Sequence, residues 1–231
     1  MKVWRIVLFL GCWGILGTAN LAASGSRESD PQFDFHNFDA LEAGGGIQIE
    51  VVKGDSRVEL VQGSDPGLEV HQRGSTLVFG HRPSFGGLNV EPVRFRVTLP
   101  VLRGANLGGG AGVVTTDTFS GTLNLQLSGG SAFTGGFEGD RLTVRIDGGG
   151  VVAMTGSAKI LLIDASGGAR FQSRPFVASE AELHLSGGAD AQLTIQELAQ
   201  IDASGGSSVE YSGSPRLLQH VSGGATIQSL D

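Results

Sequence analysis

The chain has 231 residues, with 16 basic and 23 acidic side chains, 38 glycines, one cysteine and a formal charge of −7. A single thiol excludes a disulfide framework. An acidic chain with dispersed arginines is a poor match for nucleic acid or an anionic membrane surface.

Residues 1–23 carry Lys2 and Arg5, then an apolar stretch over residues 6–16, then small residues around Ala22 and Ala23. That pattern is a secretory signal peptide, too short for a membrane span, with cleavage expected near Ala23. It predicts an extracytoplasmic protein, periplasmic, surface-bound or secreted, with no membrane insertion after cleavage. Cys12, in "LFLGC", only faintly matches a lipoprotein box, and conventional cleavage removes it together with Trp4 and Trp13. Residues 24–32, closed by Pro31, read as a linker, and residues 33–231 as one domain.

Phe33, Phe35 and Phe38 suit a first strand or a cap over the starting edge of a coil, since an open edge templates aggregation. Residues 46–103 alternate apolar and polar side chains: Ile47, Ile49 and Val51 in "GIQIEVV", and Val93, Phe95, Val97 and Leu99 in "VRFRVTLP". Period two with β-branched and aromatic residues predicts half-buried strands. Between them, Pro83, Pro92 and Gly86-Gly87 mark "HRPSFGGLNVEP" as a loop.

A repeat follows. Ser128, Ser166, Ser186, Ser204 and Ser222 each open a Ser-Gly-Gly, at intervals of 38, 20, 18 and 18 residues, and Gly148 and Gly108 extend the series. Units of 18–20 residues that share alternating strand residues and paired glycines are the mark of a solenoid, whose turns must stack to bury their apolar faces. The unit length suits one circuit of about three short strands. Glycine supplies the positive φ of the corners, and the serine before it can bond a neighbouring amide. The one stretch with helix formers, "ASEAE" after Pro175, suggests at most a single helical turn.

The opening "FHNFDALEAGGGIQIEVVKG", the central "VRFRVTLPVLRGANLGGGAGV", the serial "LSGG" and "DASGG" corners and the closing "VEYSGSPRLLQHVSGGATIQ" together resemble the GIN domain, the head domain of putative auto-transporter adhesins. The likeness spans residues 33–229. It implies a secreted or surface-exposed bacterial protein with a right-handed parallel β-helix-like fold, more irregular at its N-terminal part, and it brings no catalytic residues to transfer. Corners of Ser-Gly-Gly-Ala or Ser-Gly-Gly-Ser replace the family's frequent Ser-Gly-Ala-Gly.

Individual residues offer few sites. Asp147, Asp164 and Asp202 lie at or beside corners, where stacked acids bind Ca²⁺ or serve a polysaccharide-cleaving β-helix; the simpler role is accepting hydrogen bonds in turns. His36, His71, His81, His184 and His220 show no metal-ligand spacing. The corner serines lack the setting of a nucleophile elbow. Arg94, Arg96, Arg141 and Arg145 suit either a cationic strip or ordinary solvated strand faces. With almost no Trp or Tyr left after cleavage, a lectin-like site is disfavoured.

The sequence therefore predicts an all-β, exported, non-enzymatic solenoid without cofactor or metal. It would present a rigid surface to a protein or envelope component, as an adhesin-like module. The alternatives are a β-helix polysaccharide lyase or hydrolase, and a self-assembling envelope protein whose ends stack. If function is local, it belongs where the repeat breaks: the strand near Arg94, the loop at 81–92, or "SRPFVASE".

Overall fold

The computed structural model describes residues 35–63, 67–81 and 93–231. The signal segment, the linker, Phe33 and residues 82–92 of the expected loop lie outside these. The described residues form no helix and fall into one sheet of strands wound as a coil.

The strands are β1 (Ala40–Ala43), β2 (Gln48–Lys53), β3 (Arg57–Gln62), β4 (Leu68–Arg73), β5 (Thr76–His81), β6 (Arg94–Leu99), β7 (Gly104–Leu107) and β8 (Gly112–Leu127). After them come β9 (Ala132–Ile146), β10 (Val151–Ala165), β11 (Arg170–Leu185), β12 (Asp190–Ala203), β13 (Ser208–Ser212), β14 (Arg216–Val221) and β15 (Thr226–Ser229). From β7 onward every pairing is parallel, between one turn of the coil and the next, giving about seven turns. The three short strands expected per circuit are fused. Each of β8 to β12 is one strand of 14 to 16 residues, bent where the register slips, as at Val114/Thr118 and Gly121/Thr122 in β8. The "ASEAE" stretch lies inside β11 and makes no helical turn. Its alternating burial shows why: Ala178, Ala181 and Leu183 point into the core, and packing overrides local helix preference.

The Ser-Gly-Gly corners stack as the repeat requires. Ser166, Ser186, Ser204 and Ser222 each donate their N–H to a carbonyl one turn below at 2.9 Å, as Ser128 and Asp147 do. Asp147, rather than Gly148, thus holds the serine's place, and Gly148 stands in the adjoining column beneath Gly167. Gly44 and Gly108 continue the series downward, with Gly108 donating to Ala43 at 2.9 Å and Gly46 to Gly109 at 3.0 Å. A second ladder runs through the glycines: Gly206 donates to Gly187 at 2.6 Å and Gly224 to Gly205 at 2.7 Å. At Gly205, with φ +70°, a Cβ would stand 3.0 Å from the Gly187 backbone, so both the turn and the stacking demand glycine.

The N-terminal part is irregular for a topological reason. β5 and β6 form a turn of the coil that lies beneath β1 and β2, since β1 pairs with β5 and β2 with β6, both in parallel. β3 then adds antiparallel to β6 and β4 antiparallel to β5. These two strands, rather than Phe35 and Phe38, close the starting edge. Phe38 is instead buried in the core, and Asp39 and Ala40 bond Ser75 at the β4–β5 turn. One hydrophobic cluster runs from Phe38 to Tyr211, built from residues such as Phe95, Leu125, Val144, Ile163, Leu183 and Ile201, with the Phe79 and Phe95 rings 4.7 Å apart near its base. Fully burying a side chain of this size contributes about 1.5–3 kcal/mol.

Candidate functional site: a groove beside the corner column

Register places the candidate acids. Across β9 to β14, Arg145, Asp164, His184, Asp202 and His220 are directly opposite one another, one per turn. Two residues further along each turn stand Asp147, Ser166, Ser186, Ser204 and Ser222. The residue between points inward. These two outward columns wall a groove of about 450 Å³ whose floor is Ala165, Leu185 and Ala203. Strand alternation thus turns a repeated Asp-Ala-Ser or His-Leu-Ser into a channel along the coil axis.

Within the groove, neighbours on successive turns are paired. Arg145 Nε lies 3.3 Å from Asp164 Oδ2, and His184 Nδ1 lies 3.3 Å from Asp202 Oδ2. His184 Nε2 also meets Glu182 Oε1 at 3.0 Å, and Ser166 Oγ donates to Asp147 Oδ1 at 2.7 Å. Asp164, His184 and Asp202 side chains are each about half exposed, so water screens these pairs. The three acids therefore share one groove, and only Asp147 accepts from a corner serine. His184 and His220, which showed no ligand spacing along the sequence, join them. The signal lay at the repeat's own period: Arg145, Asp164, His184, Asp202 and His220 follow at 19, 20, 18 and 18 residues. Among the described residues no group of three or more His, Cys, Asp or Glu side chains is arranged to hold a metal ion.

The four arginines do not form a strip. Arg94 and Arg96 lie on β6, which pairs with β2, and Arg96 is held by Glu50 at 2.9 Å. Arg141 and Arg145 lie on the final segment of β9, on another face of the coil. Arg94 instead lines a cavity of about 360 Å³ with Gln48, Glu50, Val114 and Thr116.

The breaks in the repeat also have a shape. The bend after the first segment is widened in β8 by Thr115 to Asp117 and in β11 by Ser173 to Phe176, where register slips. β9 and β10 keep continuous register between them. The dip so formed, about 410 Å³, is lined by Thr118, Thr134, Thr155 and Gln172. Arg174, from "SRPFVASE", reaches away along the axis to Gln192 at 3.1 Å and Glu210 at 2.6 Å, tying β11 to β12 and β13.

A parallel coil that turns at stacked glycine corners is a fold this chain shares with known proteins. The family described as "Putative auto-transporter adhesin, head GIN domain" matches residues 37–215. The chain belongs to the GIN-domain family. Solved structures of the same fold include a putative adhesin from Bacteroides fragilis, 20% identical, covering 86% of this chain and 95% of that one, with a TM-score of 0.74. A putative adhesin from Parabacteroides merdae is 15% identical, covering 88% and 96%, with a TM-score of 0.68. A putative lipid binding protein from Parabacteroides distasonis is 12% identical, covering 87% and 95%, with a TM-score of 0.65. No curated protein matches the chain. At these identities the solved structures establish the GIN fold and leave activity to this chain's own residues.

Proposed function

We propose that this GIN domain is exported and works without catalysis, as a rigid adhesin-like module that contacts a protein or envelope component along the corner groove. The observation that carries this reading is the spacing of the polar groups. They are distributed one per turn along the axis and paired with each other, rather than converging on one point. A polysaccharide-cleaving site needs two carboxyl groups flanking an open space for the scissile bond. Here His184 fills the interval between Asp164 and Asp202 and is bonded to Asp202. Export is supported by residues 1–23 and by membership of a family of putative auto-transporter adhesin heads.

A repeated, preorganised wall binds by adding small contacts over several turns, with little ordering cost because the coil is already rigid. The test is adhesion of beads coated with the exported chain to envelope fragments of the producing cell. The double variant Asp164→Asn, Asp202→Asn should weaken adhesion at least tenfold, while Thr134→Ala, exposed on the first segment of β9 and so on another face of the coil, leaves it unchanged. Equal adhesion by both variants would contradict the groove. Release of reducing ends from a polysaccharide panel, abolished by Asp202→Asn, would contradict the non-enzymatic reading.

A further inference from the structure

The two ends of the coil are finished differently. At the start, antiparallel β3 and β4 close the sheet, and they carry Arg57, Glu59, Glu69 and Arg73. At the other end, β14 pairs only with β12 and β15 only with β13, so their outer edges carry no strand among the described residues. Leu218, Val221 and Leu230 are 45%, 43% and 40% exposed there. Leu217, Ala225 and Ile227 sit half-covered on top of the core. Residues 216–230 contain no Asp or Glu, in a chain with 23 of them. The last turn thus exposes apolar side chains and, up to Asp231, carries no acid to repel another acidic chain.

One inward position breaks the apolar pattern. Gln219 stands over Ile201, in a column that is otherwise Leu125, Val144, Ile163 and Leu183. We propose that the last turn docks on the last turn of a second copy of this chain, with β14 antiparallel to the partner's β14 about a two-fold axis at Gln219. In that register Leu217 faces the partner's Val221, and Val221 the partner's Leu217, all on the core side. The two Gln219 amides meet on the axis, each able to donate and accept. On the outer side Leu218 lies beside the partner's His220, and Arg216 beside the partner's Ser222, so no like charges oppose. The contact is isologous and closes as a dimer. A head-to-tail stack would instead set β14 against the charged edge of β3 and β4, and a single peptide strand would cover only one of the two open edges. A polar residue in an apolar column fixes the register of the pair. This inference is independent of the groove, which lies along the flank of the coil.

The test uses the exported full chain, with Cys12→Ser so that no native thiol remains. Sedimentation equilibrium should show a monomer–dimer equilibrium with no larger species. Gln219→Cys should be captured as a disulfide-linked dimer under mild oxidation, at least tenfold faster than Asn124→Cys on the lateral face. Val221→Asp, at a position already exposed, should leave the circular dichroism unchanged and abolish the dimer. A monomer at every concentration would overturn the proposal, as would an open-ended series of oligomers or equal cross-linking of the two cysteine variants.

Discussion

Ser131 and Ser207 occupy the same inward corner position on different turns of the coil, and only the first has its hydroxyl bonded. Ser131 Oγ donates to the Leu107 carbonyl at 3.0 Å and accepts from the Ser128 N–H at 3.1 Å. Ser207 Oγ, equally buried, meets no partner. The equivalent Ala111, Ala169 and Ala189 show that a methyl group fits the space. A bonded buried hydroxyl contributes about 1 kcal/mol, whereas an unbonded one carries a desolvation cost of about 1–3 kcal/mol. Ser131→Ala should therefore lower unfolding stability by about 1 kcal/mol and Ser207→Ala should raise it by a similar amount. Urea unfolding of the two variants checks both signs.

The corner glycines separate backbone conformation from stacking. Gly187 has φ +70°, and a Cβ there would lie 3.1 Å from the Gly167 N; Gly130 has φ +80° with nothing within 4 Å. An L-residue in the left-handed region costs about 1–2 kcal/mol by itself. Gly130→Ala should show that loss alone, and Gly187→Ala a clearly larger one, because two stacked corners must move apart. Equal losses in chemical denaturation would show that the corners are not in contact.

Asp140 and Lys159 face each other across adjacent turns at 2.6 Å. The hydrogen bond and charge of Lys159 hold the Asp140 carboxyl below its ordinary value, and Asp140 raises the Lys159 ammonium in return. For the acid, whose folded value is depressed, the contribution is present above the unfolded value and fades as pH falls through the folded one. For the lysine, whose folded value is raised, it is present below the unfolded value and fades as pH rises through the folded one. Both groups are fully exposed, so the expected readout is titration rather than stability. Carboxyl NMR of Lys159→Met should show the Asp140 midpoint moving up.

The core should respond in the ordinary way. Leu183 is fully buried between turns of the coil, and Leu183→Ala should cost about 2–5 kcal/mol in thermal or denaturant unfolding. A loss below 1 kcal/mol would mean that the turns pack loosely.

Much of the fold was legible because a solenoid writes its period directly into the sequence. The Ser-Gly-Gly series marked the corner column, and alternation marked the inward faces. Four features escaped for physical reasons. Gly44 to Gly46 form the corner below Gly108, but β3 to β6 intervene in the chain, so the interval is 64 residues instead of about 20. The Asp147/Gly148 offset escaped because "DGGG" aligns equally well on either glycine pair. The histidines' share in the groove was hidden because metal-ligand spacing relates residues two or four apart in the chain, whereas the coil brings residues together one period apart. The N-terminal cap could not be assigned from residues 33–38, because antiparallel closure by β3 and β4 depends on how the coil doubles back.

The central claim is that the corner serines stand in one column, one turn apart, and so wall the groove. Parallel neighbours in that column lie within the Cα separation of about 4.4–6.8 Å that a disulfide spans, and residues two turns apart do not. In the Cys12→Ser background, Ser186→Cys with Ser204→Cys should close an intramolecular disulfide under mild oxidation, read by mass spectrometry. Ser166→Cys with Ser204→Cys should stay reduced. Bridging of the second pair in preference to the first would contradict the account.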